Sequence, residues 1–120
     1  MRALVVDDSS AMRAVLRLSL KKRGFEVTEA KHGVDALSVL AANDGFELML
    51  IDWNMPEMDG FELLRRIRAE HRHDGSQIMM VTTETGMDQM SEALAAGAND
   101  YIMKPFTFDV LADKLRLLGL

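Results

Sequence analysis

The sequence contains no cysteine, which excludes disulfide bonds and metal sites built on thiolates and is compatible with a reducing compartment. It also has no stretch of about 20 consecutive apolar residues, the length that a membrane span requires. No signal-peptide core follows Met1 and Arg2. We therefore expect a cytoplasmic protein with no membrane partner.

Clustered positive charge and the glycine motifs of several enzyme classes are also missing. The formal net charge is -5, whereas a nucleic-acid-binding surface needs a clustered basic footprint. We therefore expect no nucleic-acid partner. The sequence has no G-x-S-x-G motif and no glycine-rich phosphate or flavin loop, which argues against a small hydrolase or a cofactor-binding protein.

What is present is the composition of a globular domain. The chain has 120 residues, of which 48% are hydrophobic and 28% charged, and a core of that size folds without staples. We expect one domain that spans residues 1–120. Short apolar runs predict strands at residues 3–6, 25–30, 48–51, 78–81 and 101–103.

Segments with helical spacing separate and follow these strands. The first begins at Ser9 or Ser10 and stops at Gly24, the third is ended by residues 73–76, and the last is capped by Thr107 and runs through Leu118. The second and fourth helices are predicted at residues 34–42 and 87–96. Five strands that alternate with five helices indicate a doubly wound α/β fold with a parallel sheet.

Polar residues follow the predicted strands at one end. They are Asp7, Asp8, Asp52, Thr82 and Lys104. In an open parallel sheet the ligand crevice lies outside the carboxyl ends of the strands, so we expect these side chains to converge although they are nearly a hundred residues apart in sequence.

Each residue also has a simpler interpretation. Asp7 and Asp8 suit a helix cap, Asp52 a solvated loop carboxylate, and Lys104 an ordinary exposed lysine. Their joint placement at one edge favours a functional site.

Three carboxylates that meet repel one another unless a cation compensates for their charge, and oxygen ligands suit Mg²⁺. With an ammonium and a hydroxyl added, these are the groups that phosphoryl transfer to a carboxylate requires.

Four separated motifs carry a family resemblance. They read VVDD at 5–8, LIDWNMPEMDG at 50–60, VT at 81–82 and KPF at 104–106. Over the whole chain they resemble the receiver domains of bacterial response regulators, whose flavodoxin-like sheet has the strand order 2-1-3-4-5. The pattern is most similar to the single-domain chemotaxis members of that family, which it matches at Trp53, Asn54, Thr82, Glu84, Tyr101 and Lys104.

The resemblance implies a role for each site residue. Asp52 is the phosphoacceptor. Asp8, Asp52 and the backbone carbonyl of Asn54 hold Mg²⁺, and Asp7 supports the ion through water. Lys104 and Thr82 contact the phosphoryl oxygens.

The same resemblance implies a switch residue and two residues that set the rate of phosphoryl hydrolysis. Tyr101 is the aromatic switch residue that turns inward when Thr82 is drawn toward the phosphoryl group, although a tyrosine that covers the sheet edge is the plainer interpretation. Asn54 and Glu84 tune hydrolysis. The Lys104-Pro105 peptide bond is expected to be cis.

The function implied is a single-domain two-component response regulator. A histidine kinase phosphorylates it, and the face formed by the fourth helix, fifth strand and fifth helix then binds a downstream protein. It is not an enzyme in the usual sense, because it catalyses only its own phosphorylation and dephosphorylation. The alternative is a phosphorelay intermediate that passes the phosphoryl group to a histidine phosphotransfer protein.

The sequence leaves open the role of the methionines and of the basic residues of the first helix, and it assigns none to the histidines. The methionines around the fourth strand, fourth helix and fifth strand suit core filling or an adaptable partner surface. The basic residues of the first helix, which include Arg13 and Arg17, form a solvated face or help to dock a kinase. His32, His71 and His73 lack metal-ligand spacing and receive no role.

Overall fold

The computed structural model describes residues 1–83 and 87–120, together with all side chains in these ranges except that of Met87. Strands and helices alternate throughout the described chain. The strands are β1 (Arg2–Val6), β2 (Glu26–Ala30), β3 (Leu48–Asp52), β4 (Gln77–Thr82) and β5 (Asp100–Met103). The helices are α1 (Ser10–Lys22), α2 (Gly33–Ala42), α3 (Gly60–Ala69), α4 (Met87–Ala95) and α5 (Phe108–Leu117).

The five strands form one parallel sheet in the order β2-β1-β3-β4-β5. This confirms the doubly wound, flavodoxin-like architecture. Every residue of the central strand β3 is buried, as expected for a parallel sheet that is covered on both faces. The strand order reverses between β1 and β3. Asp7 and Asp52 lie at the carboxyl ends of these two strands.

Alternation along the strands builds two separate cores. In β1, Leu4 and Val6 belong to the core shared with α2 and α3, whereas Ala3 and Val5 belong to the core shared with α1 and α5. Successive side chains of a strand point to opposite faces, so one short apolar run supplies both cores. The chain therefore fixes both faces of the sheet at the positions that carry the site.

Side-chain caps start four of the helices. Ser9, Asp59 and Thr107 each accept a hydrogen bond from the backbone N–H three residues later, which satisfies a donor that the helix itself cannot pair. Ser9 is thus the cap of α1, and Ser10 is its first residue. His32, for which no role was predicted, caps α2 by accepting from the N–H of Asp35 through Nδ1.

Helix α3 is shorter than the sequence predicts. It ends at Ala69 with Glu70 as its C-cap, four residues before the predicted stop at residues 73–76. His71 has a φ of 58°, a left-handed conformation that interrupts the helix. The predicted stop is therefore wrong, because the turn depends on tertiary contacts such as that of Arg68 Nε with the Gly97 carbonyl at 3.0 Å.

The methionines mostly fill the core. Met79, Met80 and Met90 are buried, which confirms the core-filling interpretation for these three, whereas Met103 is 40% exposed. Within residues 1–83 and 87–120, none of the helices has the length and apolar character needed to cross a membrane.

Candidate functional site

The predicted polar edge forms at the carboxyl ends of β1, β3, β4 and β5. Asp52 is the last residue of β3 and pairs in register with Val81, so Thr82 lies one residue beyond it on the neighbouring strand. The Trp53 N–H donates to the Val81 carbonyl at 2.8 Å and continues the β3–β4 pairing past Asp52. Lys104 is fixed next to Thr82 in the same way, because its N–H donates to the Thr82 carbonyl at 2.8 Å.

Three carboxylates meet at this edge. One oxygen from each of Asp7, Asp8 and Asp52 lies within 4.8 Å of the other two. The side chains of Asp7 and Asp52 are almost fully buried, with relative exposures of 1% and 5%, whereas Asp8 is exposed. The convergence predicted for these residues is therefore present, with Asp8 on the solvent side.

Lys104 bridges the two buried carboxylates. Its Nζ donates to Asp52 Oδ1 at 3.2 Å and to Asp7 Oδ2 at 3.3 Å. The Lys104-Pro105 peptide bond is cis, as the family resemblance implies. One ammonium against three carboxylates leaves two negative charges at the edge.

Burial and repulsion act on the ionisation of this group. Burial raises the pKa of Asp52, the charge of Asp7 raises it further, and the ammonium of Lys104 only partly offsets these effects. Burial by itself lowers the pKa of Lys104, but the carboxylates of Asp52 and Asp7 outweigh it, so the pKa of Lys104 is raised. The lysine is thus held protonated beside a carboxylate whose ionised form is disfavoured by burial and by the charge of Asp7.

The donor set fits a hard divalent cation. Carboxylate oxygens from three residues come together without imidazole or thiolate ligands among the described residues. Oxygen-only sets suit Mg²⁺, which binds through one or two carboxylates and keeps several waters. The two uncompensated negative charges match its charge. The acidic edge therefore contains a pocket with the ligands for a metal ion.

Asp7 also shapes the chain that carries Asp8. Its Oδ1 accepts the N–H of Ser9 at 2.9 Å, but Ser9 itself caps α1, so Asp7 orients the turn before the helix and does not cap it. The Asp7 carbonyl accepts from Arg13 Nη1 at 2.7 Å, and Arg13 Nε donates to Glu29 Oε1 at 3.2 Å. Arg13 thus supports the turn under the acidic edge.

The basic side chains of α1 make ion pairs that the sequence does not indicate. Arg17 also pairs with Glu29, at 2.7 Å from Nη1 to Oε2. Arg13 and Arg17 therefore do not stand alone in solvent, but they share the one carboxylate of Glu29, which leaves one of their two positive charges uncompensated. Sequence reasoning missed this because Glu29 is 16 and 12 residues away, on β2.

The loop between Asp52 and α3 folds back tightly on the end of β3. The Gly60 N–H donates to the Trp53 carbonyl at 2.8 Å, and a Cβ at Gly60 would lie 2.2 Å from the Asp52 carbonyl oxygen. Only glycine leaves room for that approach. The Trp53 ring stacks on Phe61 with centroids 5.5 Å apart, so the loop is fixed at both ends.

Asn54 lies at the rim of this loop and is exposed. Its Nδ2 donates to Thr83 Oγ1 at 3.3 Å, which links the β3–α3 loop to the end of β4. Thr83 was not expected from the sequence, since a threonine beside Thr82 gives no signal by itself. The other residue expected to tune hydrolysis, Glu84, lies outside the described residues.

Tyr101 is half-buried on β5, where it pairs in register with Met80. It therefore lies on the strand next to Thr82, outside the group of acids. Two further residues contact it: Asp100 Oδ1 accepts its N–H at 2.7 Å, and Lys114 Nζ lies 4.6 Å from its ring centroid. Neither was anticipated, because Lys114 reaches the ring from α5.

Comparison with known proteins identifies close relatives. Residues 3–116 match the family described as "Response regulator receiver domain". A Campylobacter jejuni "Chemotaxis protein CheY homolog" is 48% identical over 116 residues, 96% of this chain and 89% of that protein. The Helicobacter pylori "Chemotaxis protein CheY1" is 47% identical over 119 residues, 98% of this chain and 96% of that protein.

Solved structures give the same result. The Vibrio cholerae chemotaxis protein CheY4 has a TM-score of 0.89 and 34% identity, with 97% of this chain and 96% of that chain covered. A CheY-like receiver domain protein from Methanospirillum hungatei has a TM-score of 0.86 and 33% identity, with 97% and 90% covered. The fold that positions the acidic edge is thus shared with these proteins.

Proposed function

The chain belongs to the response regulator receiver family, and from that premise we propose that Asp52 accepts a phosphoryl group from a histidine kinase. Receiver domains are switched by phosphorylation and change their partner binding as a result, and this chain is a CheY-like receiver. We propose further that one receiver domain spans residues 1–120 and that it acts in the cytoplasm.

One observation carries the assignment to Asp52. Of the three acids at the edge, only Asp52 is both nearly buried and at the end of the central strand, with Lys104 Nζ 3.2 Å from its Oδ1. Asp7 is also buried, but its Oδ1 accepts the Ser9 N–H. Asp8 is exposed. Asp52 is thus the carboxylate best placed to act as a nucleophile beside a fixed cation.

The proposed chemistry needs little beyond positioning. An oxygen of Asp52 bonds to phosphorus as the bond between phosphorus and the kinase histidine nitrogen breaks. The product is an acyl phosphate on Asp52. Lys104 and the hydroxyl of Thr82 contact its phosphoryl oxygens, which keeps the new charge next to an ammonium and a hydrogen-bond donor.

We assign the metal to the acidic pocket. Asp8, Asp52 and the backbone carbonyl of Asn54 would hold Mg²⁺, and Asp7 would support it through water. When bound, the ion neutralises charge on the phosphoryl oxygens. The two negative charges that Lys104 leaves uncompensated support this assignment.

The readout is proposed to run through Thr82 and Tyr101. Movement of Thr82 toward the phosphoryl group makes space beside β5, and the Tyr101 ring turns inward. This alters the face formed by α4, β5 and α5, which then binds a downstream protein. Output is by contact with a protein, with no nucleic-acid or membrane partner.

The signal is proposed to end by self-catalysed hydrolysis. Asn54, at the rim, and Glu84 would admit the attacking water. The protein would then be no enzyme in the usual sense, because it acts only on its own phosphoryl group. A protein that passed the group to a histidine phosphotransfer protein instead would need to retain it for longer.

Metal and phosphoryl binding can be tested through Trp53, the single tryptophan, which directly follows Asp52. Titration with Mg²⁺ and then with beryllofluoride, a phosphoryl mimic, should produce saturable changes in its fluorescence. Asp8→Ala should weaken the Mg²⁺ affinity by at least roughly tenfold, since it removes a direct charged ligand.

Asp74→Ala is the matched control, because it makes the same change at an exposed acid outside the pocket, whose partner is His71. It should leave both titrations unchanged. Equal behaviour of Asp8→Ala, Asp74→Ala and wild type would remove Asp8 from the metal site.

A further inference from the structure

Lys114, on α5, makes two contacts at the start of β5. Its Nζ donates to Asp100 Oδ1 at 3.1 Å and lies 4.6 Å from the centroid of the Tyr101 ring. The same Asp100 oxygen accepts the backbone N–H of Tyr101 at 2.7 Å. We call these three contacts the Lys114 clamp.

The clamp fixes the cation with respect to the ring. Asp100 is tied to the backbone of Tyr101, and Lys114 is tied to Asp100, so the ammonium cannot drift away without losing an ion pair. Both partners are partly withdrawn from water, with side-chain exposures of 28% for Lys114 and 20% for Asp100. A cation within about 6 Å of a ring centroid is attracted to the ring, and more strongly when it is desolvated.

The contact favours the ring orientation in which it is made. A ring that turns away from the ammonium loses the attraction, while the Lys114–Asp100 ion pair remains. Interactions made in only one of two states shift the equilibrium toward that state. The clamp therefore opposes any rotation of Tyr101 out of the orientation seen in this structure.

We propose that Lys114 is a positioning residue for Tyr101 that sets how readily the phosphorylation switch moves. The inference rests on the proposed function, in which Tyr101 turns after Asp52 is phosphorylated. Lys114 stabilises the resting orientation of the ring, so part of the free energy of phosphoryl binding is spent on breaking this contact. The plainer interpretation is that Lys114 only ties α5 to the sheet through Asp100.

Removal of the cation should make the switched state easier to reach. Lys114→Met keeps the length of the side chain but loses the charge, and it should tighten the apparent affinity for beryllofluoride about two- to fivefold. Lys114→Arg keeps a cation and should stay close to wild type. Asp100→Asn should act in the same direction as Lys114→Met, because it frees the ammonium yet still accepts the Tyr101 N–H.

Lys22→Met is the matched control for loss of a lysine beside a ring. Lys22 Nζ lies 5.6 Å from the Phe108 ring centroid, away from Tyr101, and its removal changes the net charge by the same amount. It should leave the beryllofluoride affinity unchanged. A gain equal to that of Lys114→Met would assign the effect to net charge and overturn the proposal.

The effect of Lys114 must also depend on the ring. In a Tyr101→Leu background, Lys114→Met should no longer tighten beryllofluoride binding. If the two- to fivefold gain persists without the ring, Lys114 acts on the pocket by another route and the proposal is wrong, although the phosphoryl site stands.

A cycle of unfolding measurements without Mg²⁺ or beryllofluoride tests the clamp independently of the switch. Lys114→Met should change the unfolding equilibrium constant about two- to fivefold more in protein with Tyr101 than in Tyr101→Leu protein. Equal changes would show that Lys114 only ties α5 to the sheet and would overturn the proposal. If no protein, wild type included, responds to beryllofluoride, the proposed function fails, and the clamp then stands or falls on this cycle.

Discussion

The carboxyl group of Asp52 lies where burial and the charge of Asp7 both oppose its ionisation. These two effects raise its pKa above 3.8, the ordinary value for an aspartic acid, although Lys104 partly offsets them. Without a divalent cation, the folded protein therefore holds an unfavourable negative charge at neutral pH. Such a charge is useful to a nucleophile and costly to the fold.

Asp52→Asn should stabilise the metal-free protein at neutral pH. The folded state of the wild type binds the proton of Asp52 more tightly than the unfolded chain does, so its stability falls as the pH rises from 3.8 through the raised pKa. The amide has no such loss, and Lys104 keeps Asp7 as its partner. The amide should therefore be the more stable of the two proteins at neutral pH.

Urea unfolding at several pH values, without Mg²⁺, measures this difference. The two proteins should converge at pH values below 3.8, where the wild-type carboxyl group is also neutral. Addition of Mg²⁺ should favour the wild type. A less stable Asp52→Asn protein at neutral pH, or a gap that does not close on acidification, would contradict the assigned charge balance.

The sequence alone was enough to predict the acids and Lys104, but not the residues that support them. Asp7, Asp8, Asp52 and Lys104 were predictable because each ends a recognisable strand. Arg13, which donates to the Asp7 carbonyl, and its partner Glu29 were not, since these ordinary surface residue types come together only once α1 lies against β2.

The loop between β3 and α3 is the element that sets the geometry of the pocket. It carries Asn54, and it ends at Gly60, where a Cβ would lie 2.2 Å from the Asp52 carbonyl oxygen. The backbone that supplies a proposed metal ligand is thus packed against the strand that supplies the nucleophile. A change at Gly60 must move one or the other.

Gly60→Ala should destabilise the protein by about 1–3 kcal/mol, the usual cost of forcing extra volume into a packed site. It should also weaken Mg²⁺ binding, because relief of the contact displaces the loop. Gly75→Ala is the matched control, since a Cβ there meets nothing within 4 Å. Thermal unfolding and Mg²⁺ titration of both variants provide the measurement, and similar behaviour of the two would show that the loop is not tightly packed.

The bounds of the strands could be predicted from the local sequence, whereas the end of α3 could not. The strands were predicted to within one residue at each end because their apolar runs are sharply bounded. The structure adds Arg2, Asp52, Gln77, Thr82 and Asp100 to the predicted strands and leaves out Phe25. The end of α3 was predicted wrongly, since nothing local in the sequence marks His71 for a φ of 58°.

For the whole molecule, the strand order could be predicted from the family resemblance. The convergence of the site residues could be predicted from the parallel sheet. The contacts of Lys114 with Asp100 and with the Tyr101 ring were beyond prediction, because they form only when α5 packs beside β5. The lifetime of the phosphoryl group is likewise a property of the assembled pocket, and it separates a brief switch from a phosphorelay intermediate.

Asn54→Arg should lengthen that lifetime by roughly tenfold, since displacement of an attacking water from its aligned position is costly to the reaction rate. Asn54 is exposed at the rim, so a longer side chain there hinders water and leaves Mg²⁺ binding nearly intact. Glu84→Tyr should act in the same direction. Decay of isolated phosphoprotein is to be followed with Mg²⁺ and after chelation.

A long-lived wild-type phosphoprotein whose lifetime neither substitution changes would contradict this explanation. It would favour the phosphorelay alternative, in which the phosphoryl group is kept for transfer to a histidine phosphotransfer protein.

Asp52 alone is expected to carry the phosphoryl group, and mass spectrometry after treatment with acetyl phosphate and Mg²⁺ is the test. The wild type should gain one phosphoryl group, which maps to the peptide that contains Asp52, and Asp52→Asn should gain none. Asp74→Ala, altered outside the acidic pocket, should be labelled like the wild type. Undiminished labelling of Asp52→Asn would contradict the account.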